Sequence, residues 1–246
     1  MRTANPALNS STFNVRYGTY AGAMTINGTI WKTLVLLACV LATAGWTWDQ
    51  FMTTRDPGVV MPCLMGGGIV GLVLAFVTIF KKEWAGVTAP LYSLAEGLVL
   101  GGLSALFELR FPGIAIEAVG LTFGTCLCML VAYRLGIIRV TQRFTMVLVA
   151  ATGGICLVYF LTMILGFFHV QVPAIYGSGP IGILFSLFVV GVAALNLVLD
   201  FSFIEQGALN GAPKYMEWYG AFGLMVTLIW LYMEMLRLLA KLRDRR

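Results

Sequence analysis

The chain alternates long apolar runs with short polar or charged breaks. A helix needs about 20 mostly apolar residues to cross the hydrocarbon core of a bilayer. Seven runs approach or exceed that length. They cover residues 33–48, 59–80, 88–107, 114–133, 145–168, 180–203 and 216–239. Charges, glycines and prolines fill the breaks, which is typical of connections between helices. We therefore predict an all-α membrane protein with seven transmembrane helices.

Composition supports the same fold class. Of the 246 residues, 59% are hydrophobic and only 11% are charged, whereas about a quarter of the residues of soluble domains are charged. Lipid must therefore act as solvent for much of the surface. The net charge of +5 is dispersed in small clusters beside the apolar runs, so we expect the bilayer as partner and no nucleic acid.

The basic residues predict an orientation. Nine Lys and Arg residues flank the runs on the N-terminal side of the bilayer, and only Arg55 and Arg110 lie in the opposite loops. Cytoplasmic loops carry the excess of basic residues, so we expect a cytoplasmic N-terminus in the inner (plasma) membrane. Five further basic residues, from Arg237 to Arg246, fall on the external side if all seven runs cross. Either the early helices determine orientation, or the last two runs do not both cross; we favour seven crossings.

The domain organisation follows from these runs. Residues 1–30 are predicted as a polar tail, because they contain no apolar stretch with a cleavage site typical of a signal peptide. Residues 31–240 form the predicted transmembrane domain, and residues 241–246 a basic C-terminal tail. Within the domain, the pairs Gly67/Gly71 and Gly97/Gly101 have the small-xxx-small spacing that lets helices approach closely. The alternative is the general abundance of glycine in membrane helices.

Residues typical of enzymes are scarce. His169 is the only histidine, which makes a His-based triad or a paired-His metal site unexpected. The five cysteines all lie in apolar runs, where we expect them to be small packed residues without disulfides or metal. The chain contains no Gly-Lys-Ser/Thr phosphate loop and no local motif of an intramembrane aspartyl protease. We therefore predict a protein that is not an enzyme and has no cofactor.

Acidic side chains inside the apolar runs are the strongest functional candidates. A charge at mid-bilayer costs about 2.5–3.5 kcal/mol on insertion scales, so such residues are usually functional. The candidates, with one amide, are Glu96, Asn196, Asp200, Glu217 and Glu234, and Glu205 follows the sixth run.

The predicted topology brings four of these acids to the cytoplasmic third of the bilayer. Glu96 lies eight residues into the third run, about 12 Å at the rise of an α-helix. Asp200 lies three residues before the end of the sixth run, about 5 Å from it. Glu205 lies just past that end, and Glu217 opens the seventh run on the same side. Asn196 shares a helix face with Asp200, because the two are four residues apart.

Clustered carboxyl groups in a medium of low dielectric cannot all ionise, and neighbours share protons. No Lys or Arg lies at the same depth inside a run, and Lys214 in a connecting loop is the nearest candidate partner. In the protonated state such a cluster could form a hydrogen-bonded latch. In the ionised state it could bind a hard cation such as Ca²⁺, with Asp200 as a possible ligand. The alternative is a set of interfacial acids that face cytoplasmic water.

Several motifs resemble the Bax inhibitor family, and in particular its bacterial YccA-like branch. The similar segments are Asp-Phe-Ser-Phe-Ile-Glu-Gln-Gly over residues 200–207, Gly-Ala-Pro-Lys-Tyr-Met-Glu-Trp-Tyr over 211–219, Tyr-Ser-Leu-Ala-Glu-Gly-Leu over 92–98, and the Asn5-Pro6 pair. The number of runs and the sizes of the loops are also similar.

The resemblance implies a seven-helix fold whose last helix is central and surrounded by the other six. It also implies a pH-sensitive calcium leak channel or a regulator of cell death and stress, and bacterial relatives are linked to the membrane protease FtsH. In leak-type members two aspartates on the last two helices form a pH latch. Asp200 matches the first, whereas Thr227 stands near the second position. An arginine on the second helix of those members has no equivalent here.

Two functions follow from these observations. The first is a pH-gated pathway for cations, chiefly Ca²⁺, built on Asp200 with Glu96 and Glu217. The second is a non-conducting regulator that binds another membrane protein, such as a protease. The intramembrane acids favour the first, and the two departures from the leak-type pattern favour the second.

Overall fold

The computed structural model describes residues 22–168 and 177–245. In this part, seven helices are long and apolar enough to cross a membrane, which confirms the predicted all-α fold with seven spans. The helices are α1 (Ile26–Thr54), α2 (Pro57–Phe80), α3 (Ala85–Arg110), α4 (Ile114–Arg134), α5 (Gln142–Phe167), α6 (Pro180–Leu209) and α7 (Met216–Asp244), with a 3₁₀ turn at Lys82–Trp84. Residues 1–21, with the Asn5-Pro6 pair, and His169 lie outside the described residues.

Side-chain caps explain several helix starts. Thr25 accepts a hydrogen bond from the Gly28 amide at 2.9 Å, and this cap begins α1 seven residues before the predicted Thr33. Asp56 accepts one from the Gly58 amide at 2.8 Å and so caps α2. Such caps satisfy amides that have no partner within the helix, which allows the helices to extend into polar sequence that hydropathy alone excludes.

Two helices end later than the apolar runs predict. α6 continues beyond Phe203 to Leu209, and α7 continues beyond Leu239 to Asp244. Residues 241–244, predicted as part of a basic tail, therefore belong to the last helix. Polar contacts with neighbouring helices keep these final turns helical, as described below for Glu205. Hydropathy could not detect those contacts.

The last helix lies inside the bundle. Of the seven spans, α7 has the largest buried share, and it packs along α1, α3, α4 and α6. Leu228, Leu231 and Met235 of α7 form a core with Ala193 and Leu197 of α6. α2 packs chiefly against α3 and α1, and α5 against α6. That all six helices surround α7 stays a prediction.

The two glycine pairs lie at close helix crossings. A Cβ atom at Gly97 would lie 2.5 Å from the Val40 carbonyl oxygen of α1, and one at Gly101 would lie 2.8 Å from the Cα of Ala44. α2 packs on the other side of α3, where a Cβ at Gly67 of α2 would lie 2.8 Å from the Ala95 carbonyl oxygen of α3. The predicted role of these glycines in helix packing is therefore confirmed.

Candidate functional site

Asp200 lies on the face of α6 that packs toward α7. One turn earlier on α6, Leu197 is fully buried in the core shared with α7. The Thr227 hydroxyl of α7 is within hydrogen-bonding reach of the Asp200 carboxylate. The Cys126 thiol of α4 lies close enough to Asp200 for the two groups to interact electrostatically. The helices therefore place one carboxyl group at the junction of α4, α6 and α7.

One oxygen of this carboxyl group has no partner. Asp200 Oδ2 is inaccessible to solvent and makes no hydrogen bond to any described residue. Because α6 extends to Leu209, Asp200 lies nine residues from the end of its helix, about 14 Å at the helical rise. Asp200 therefore lies well inside α6 rather than near the end of the helix. A buried acceptor without a donor is costly when charged.

Glu96 lies on another side of the bundle. A Cβ atom at Gly71 of α2 would lie 2.8 Å from Glu96 Oε1, so the side chain of Glu96 occupies the space that this glycine leaves open. The described residues provide it with no hydrogen bond or ion pair. α3 packs against α1, α2 and α7, whereas α6 packs against α4, α5 and α7. The structure therefore does not bring Glu96 and Asp200 together, although both lie deep in their helices.

Glu217 forms a buried clamp with the start of α1. It is 1% exposed and is ion-paired with Lys32 of α1. Its Oε1 accepts hydrogen bonds from the amide and the hydroxyl of Thr25, both at 2.9 Å. A Cβ atom at Gly28 would collide with this carboxylate. Lys32, rather than the Lys214 considered from the sequence, is thus the cation that neutralises Glu217.

Asn196 and Glu205 also face partners of their own. The amide nitrogen of Asn196 donates to Thr152 Oγ1 of α5 and to the Val192 carbonyl oxygen, both at 2.9 Å. Glu205 accepts a hydrogen bond from the Tyr133 hydroxyl of α4. Neither residue forms a hydrogen bond with Asp200 in the described part of the chain. The predicted acids are therefore distributed over separate helix interfaces, and their role as one latch stays a prediction.

A second buried polar network lies toward the other end of α7. Glu234 is 1% exposed, and its Oε1 accepts from Arg237 at 2.7 Å and from the Tyr159 hydroxyl of α5 at 2.9 Å. Two turns after Glu234, the buried Lys241 donates to Ser186 Oγ at 2.8 Å and to the Gly182 carbonyl oxygen at 3.0 Å. Glu234 is a candidate from the sequence, where its partners are not apparent. The i,i+3 spacing of Glu234 and Arg237 is the signal that could have identified the pair.

No resident metal centre is visible in the described ranges. Among residues 22–168 and 177–245, no three His, Cys, Asp or Glu side chains converge in a way that could hold a metal ion. Ca²⁺ usually takes six to eight oxygen ligands. A Ca²⁺ ion at Asp200 would therefore need most of its oxygen ligands from water or from groups outside this site, as a passing ion would have.

The sequence is similar to one known protein family over nearly its whole length. A family model described as "Bax inhibitor 1 like" matches residues 5–244. No curated protein and no solved structure matches the chain. The match covers nearly the whole sequence and all seven helices. The chain therefore belongs to the Bax inhibitor 1 like family and is a multi-pass membrane protein of that family.

Proposed function

We propose that this protein is a pH-sensitive pathway for cations, chiefly Ca²⁺, and that the Asp200 carboxyl group controls it. The observation that carries the proposal is the Asp200 Oδ2 atom, which is buried within a membrane-spanning helix without a hydrogen-bond partner in the described structure. A partnerless carboxyl group in a medium of low dielectric favours its neutral form. Its ionisation therefore strains the surrounding helix packing.

The sign of the pH effect follows from that preference. At low pH, protonated Asp200 can stay hydrogen-bonded to the Thr227 hydroxyl of α7, with Cys126 of α4 in its vicinity. As pH rises, the carboxylate loses its proton and needs water or a cation, so α6 and α7 separate. The pathway is thus closed when protonated and open when ionised. Ca²⁺ is the cargo, because a hard cation suits a carboxylate ligand.

The test is Ca²⁺ flux into liposomes that contain the purified protein and a Ca²⁺ dye, measured across pH. The Asp200→Asn variant keeps the shape of the side chain but cannot titrate, so we expect pH-dependent flux to be abolished or flattened. Glu217→Gln should shift the pH midpoint by less, because Glu217 is paired with Lys32 at another interface. Folded Asp200→Asn protein with an unchanged pH profile would contradict the proposal.

One observation favours a second function. Thr227 stands opposite Asp200, so this interface lacks the second carboxyl group of leak-type members. The alternative is a non-conducting regulator that binds another membrane protein, such as the membrane protease FtsH. Wild-type liposomes without flux at any pH, together with protease that co-purifies with the full chain, would favour it over the channel.

The absence of enzymatic activity is part of the proposal. The Bax inhibitor family is generally one of membrane channels and regulators rather than enzymes. We expect the purified protein to cleave no membrane substrate. Cleavage that is lost in Asp200→Asn would contradict this expectation, because it would assign the carboxyl group to hydrolysis.

A further inference from the structure

A cleft of about 400 Å³ opens on the side of the bundle between α1 and α4. Its rims carry lipid-facing residues, with Leu41 of α1 57% exposed and Ile116 of α4 72% exposed. Its floor is formed by α3 and by the last helix, where Met225 is only 1% exposed. A side chain of the central part of α7 thus lies at the bottom of an opening that begins at the lipid surface.

Four polar residues that line the cleft already have partners. The Ser104 and Tyr232 hydroxyls are 2.6 Å apart, and Ser104 donates to the Leu100 carbonyl oxygen at 2.6 Å. Thr122 donates to a carbonyl oxygen of its own helix at 2.7 Å. Glu108 accepts from two amides at the start of α4. Water enters a cavity stably only where polar groups remain to bind it, so a cleft with this predominantly apolar lining disfavours water and permeating ions.

An empty cleft is equally unfavourable. Atoms that line a void lose their dispersion contacts on that side, and a volume of 400 Å³ is that of a ligand pocket. The phase next to its mouth is the hydrocarbon of the bilayer, because all the lining helices are membrane spans. Hydrocarbon is therefore the material that fills it.

The length of the cleft identifies the hydrocarbon. On α1 the lining runs from Leu37 to Trp48, about 16 Å at the helical rise. This is close to half of a hydrocarbon core of about 30 Å, which is the depth of one leaflet. The outer end, at Trp48 and Glu108, lies by the α3–α4 connection, where a lipid head group would meet the interface. We propose that the cleft binds one acyl chain of a membrane phospholipid from that leaflet.

This site is independent of the proposed ion pathway. The lining residues Met225, Ile229 and Tyr232 are spaced by three or four positions, so they share one face of α7. Thr227, which meets Asp200, lies on the opposite face. A bound chain would contact α7 from the side away from Asp200, and its presence can be tested whether or not the protein conducts.

The test uses a phospholipid with a photoactivatable diazirine in one acyl chain, in liposomes that contain the full-length protein. Mass spectrometry then locates the adducts. We expect adducts on the cleft floor at Met225 and Leu228, which are at most 9% exposed, in addition to those on open lipid-facing helices. Adducts confined to lipid-facing residues such as Phe160 of α5 would overturn the proposal.

Two variants make the test specific. Gly45 lines the cleft, and a Cβ atom there would have nothing within 4 Å, so Gly45→Leu narrows the cleft and its Cβ meets no clash. We expect this variant to lose the adducts on α7 and to keep those on α5. Gly120→Leu on α4 is the matched control, since Gly120 is also open but lies off the cleft, and it should keep both sets. Labelling of the floor by a photoactivatable free fatty acid but not by the phospholipid would contradict the assignment.

Discussion

At the scale of single residues, buried charges are stabilised in different ways. Glu217 has a full set of partners in Lys32 and Thr25. Glu234 has Arg237 and Tyr159 for one oxygen, while its Oε2 has no hydrogen bond in the described structure. Among the described residues, Asp200 has only the Thr227 hydroxyl as a hydrogen-bond partner. The three carboxyl groups should therefore respond differently to neutralisation.

Glu217→Gln should destabilise the protein. The change removes the ion pair with Lys32 and weakens two hydrogen bonds from Thr25, in a site that is 1% exposed. Hydrogen bonds to charged groups contribute about 1.5–3 kcal/mol each, so we expect a loss of about 2 kcal/mol in unfolding free energy. Thermal unfolding in detergent measures it, with Glu83→Gln at the exposed 3₁₀ turn as control. Equal stability of both variants would contradict the clamp.

Arg237→Met should be more harmful alone than in combination with Glu234→Gln. The single change leaves the Glu234 carboxylate buried without its cation, and removal of one partner from a buried pair costs about 3–5 kcal/mol. Neutralising Glu234 as well removes that penalty, so the double variant should recover part of the stability. A double-mutant cycle by thermal unfolding measures the coupling. Additive losses would show that the pair is not coupled.

At the scale of helices, glycine determines how closely the spans can pack. Gly97 and Gly101 place α3 against the backbone of α1, and Gly67 places α2 against α3. In lipid there is little hydrophobic drive between helices, so close van der Waals contact has to hold them together. The three helices α1, α2 and α3 therefore form one closely packed unit beside α7.

Gly97→Ala tests this contact with one added methyl group. The new Cβ would lie 2.5 Å from the Val40 carbonyl oxygen, so the helices must move apart, and overpacking of this kind costs about 1–3 kcal/mol. Gly154→Ala on α5 is the matched control, because nothing lies within 4 Å of its Cβ position. Alanine favours a helix by up to about 1 kcal/mol over glycine, so the control should be neutral or stabilised. Unfolding temperatures that rise in both variants would refute the crossing.

At the scale of the whole molecule, both ends of α7 are fixed to other parts of the chain. Near its start, the Met24 amide donates to the Ala212 carbonyl oxygen at 2.7 Å. At its end, Arg243 pairs with Glu117 at 2.7 Å, and Asp244 with Arg110 at 2.6 Å. Such exposed pairs are individually weak. They nevertheless join Arg243 and Asp244 of α7 to the α3–α4 end of the bundle.

The membrane topology follows from the number of spans and the distribution of basic residues. Seven crossing helices place the two termini on opposite sides, and the excess of basic residues predicts a cytoplasmic N-terminus. A reporter fused after residue 246 should therefore read as external, and one fused before residue 1 as cytoplasmic. The same side for both reporters would contradict the seven crossings. Inverted readings would contradict only the orientation.

The sequence by itself determined the fold class, the number of spans, the family resemblance and the close packing at the glycine pairs. Each of these depends on local hydropathy or residue spacing, which a chain in lipid must satisfy. Tertiary structure alone decided the partners of the acids. Lys32 and Glu217 are 185 residues apart, and a helix sequence contains no signal for which neighbour its polar face will meet. The sequence placed Glu96 and Asp200 inside their helices, but it could not give their lateral position, because packing around α7 separates α3 from α6.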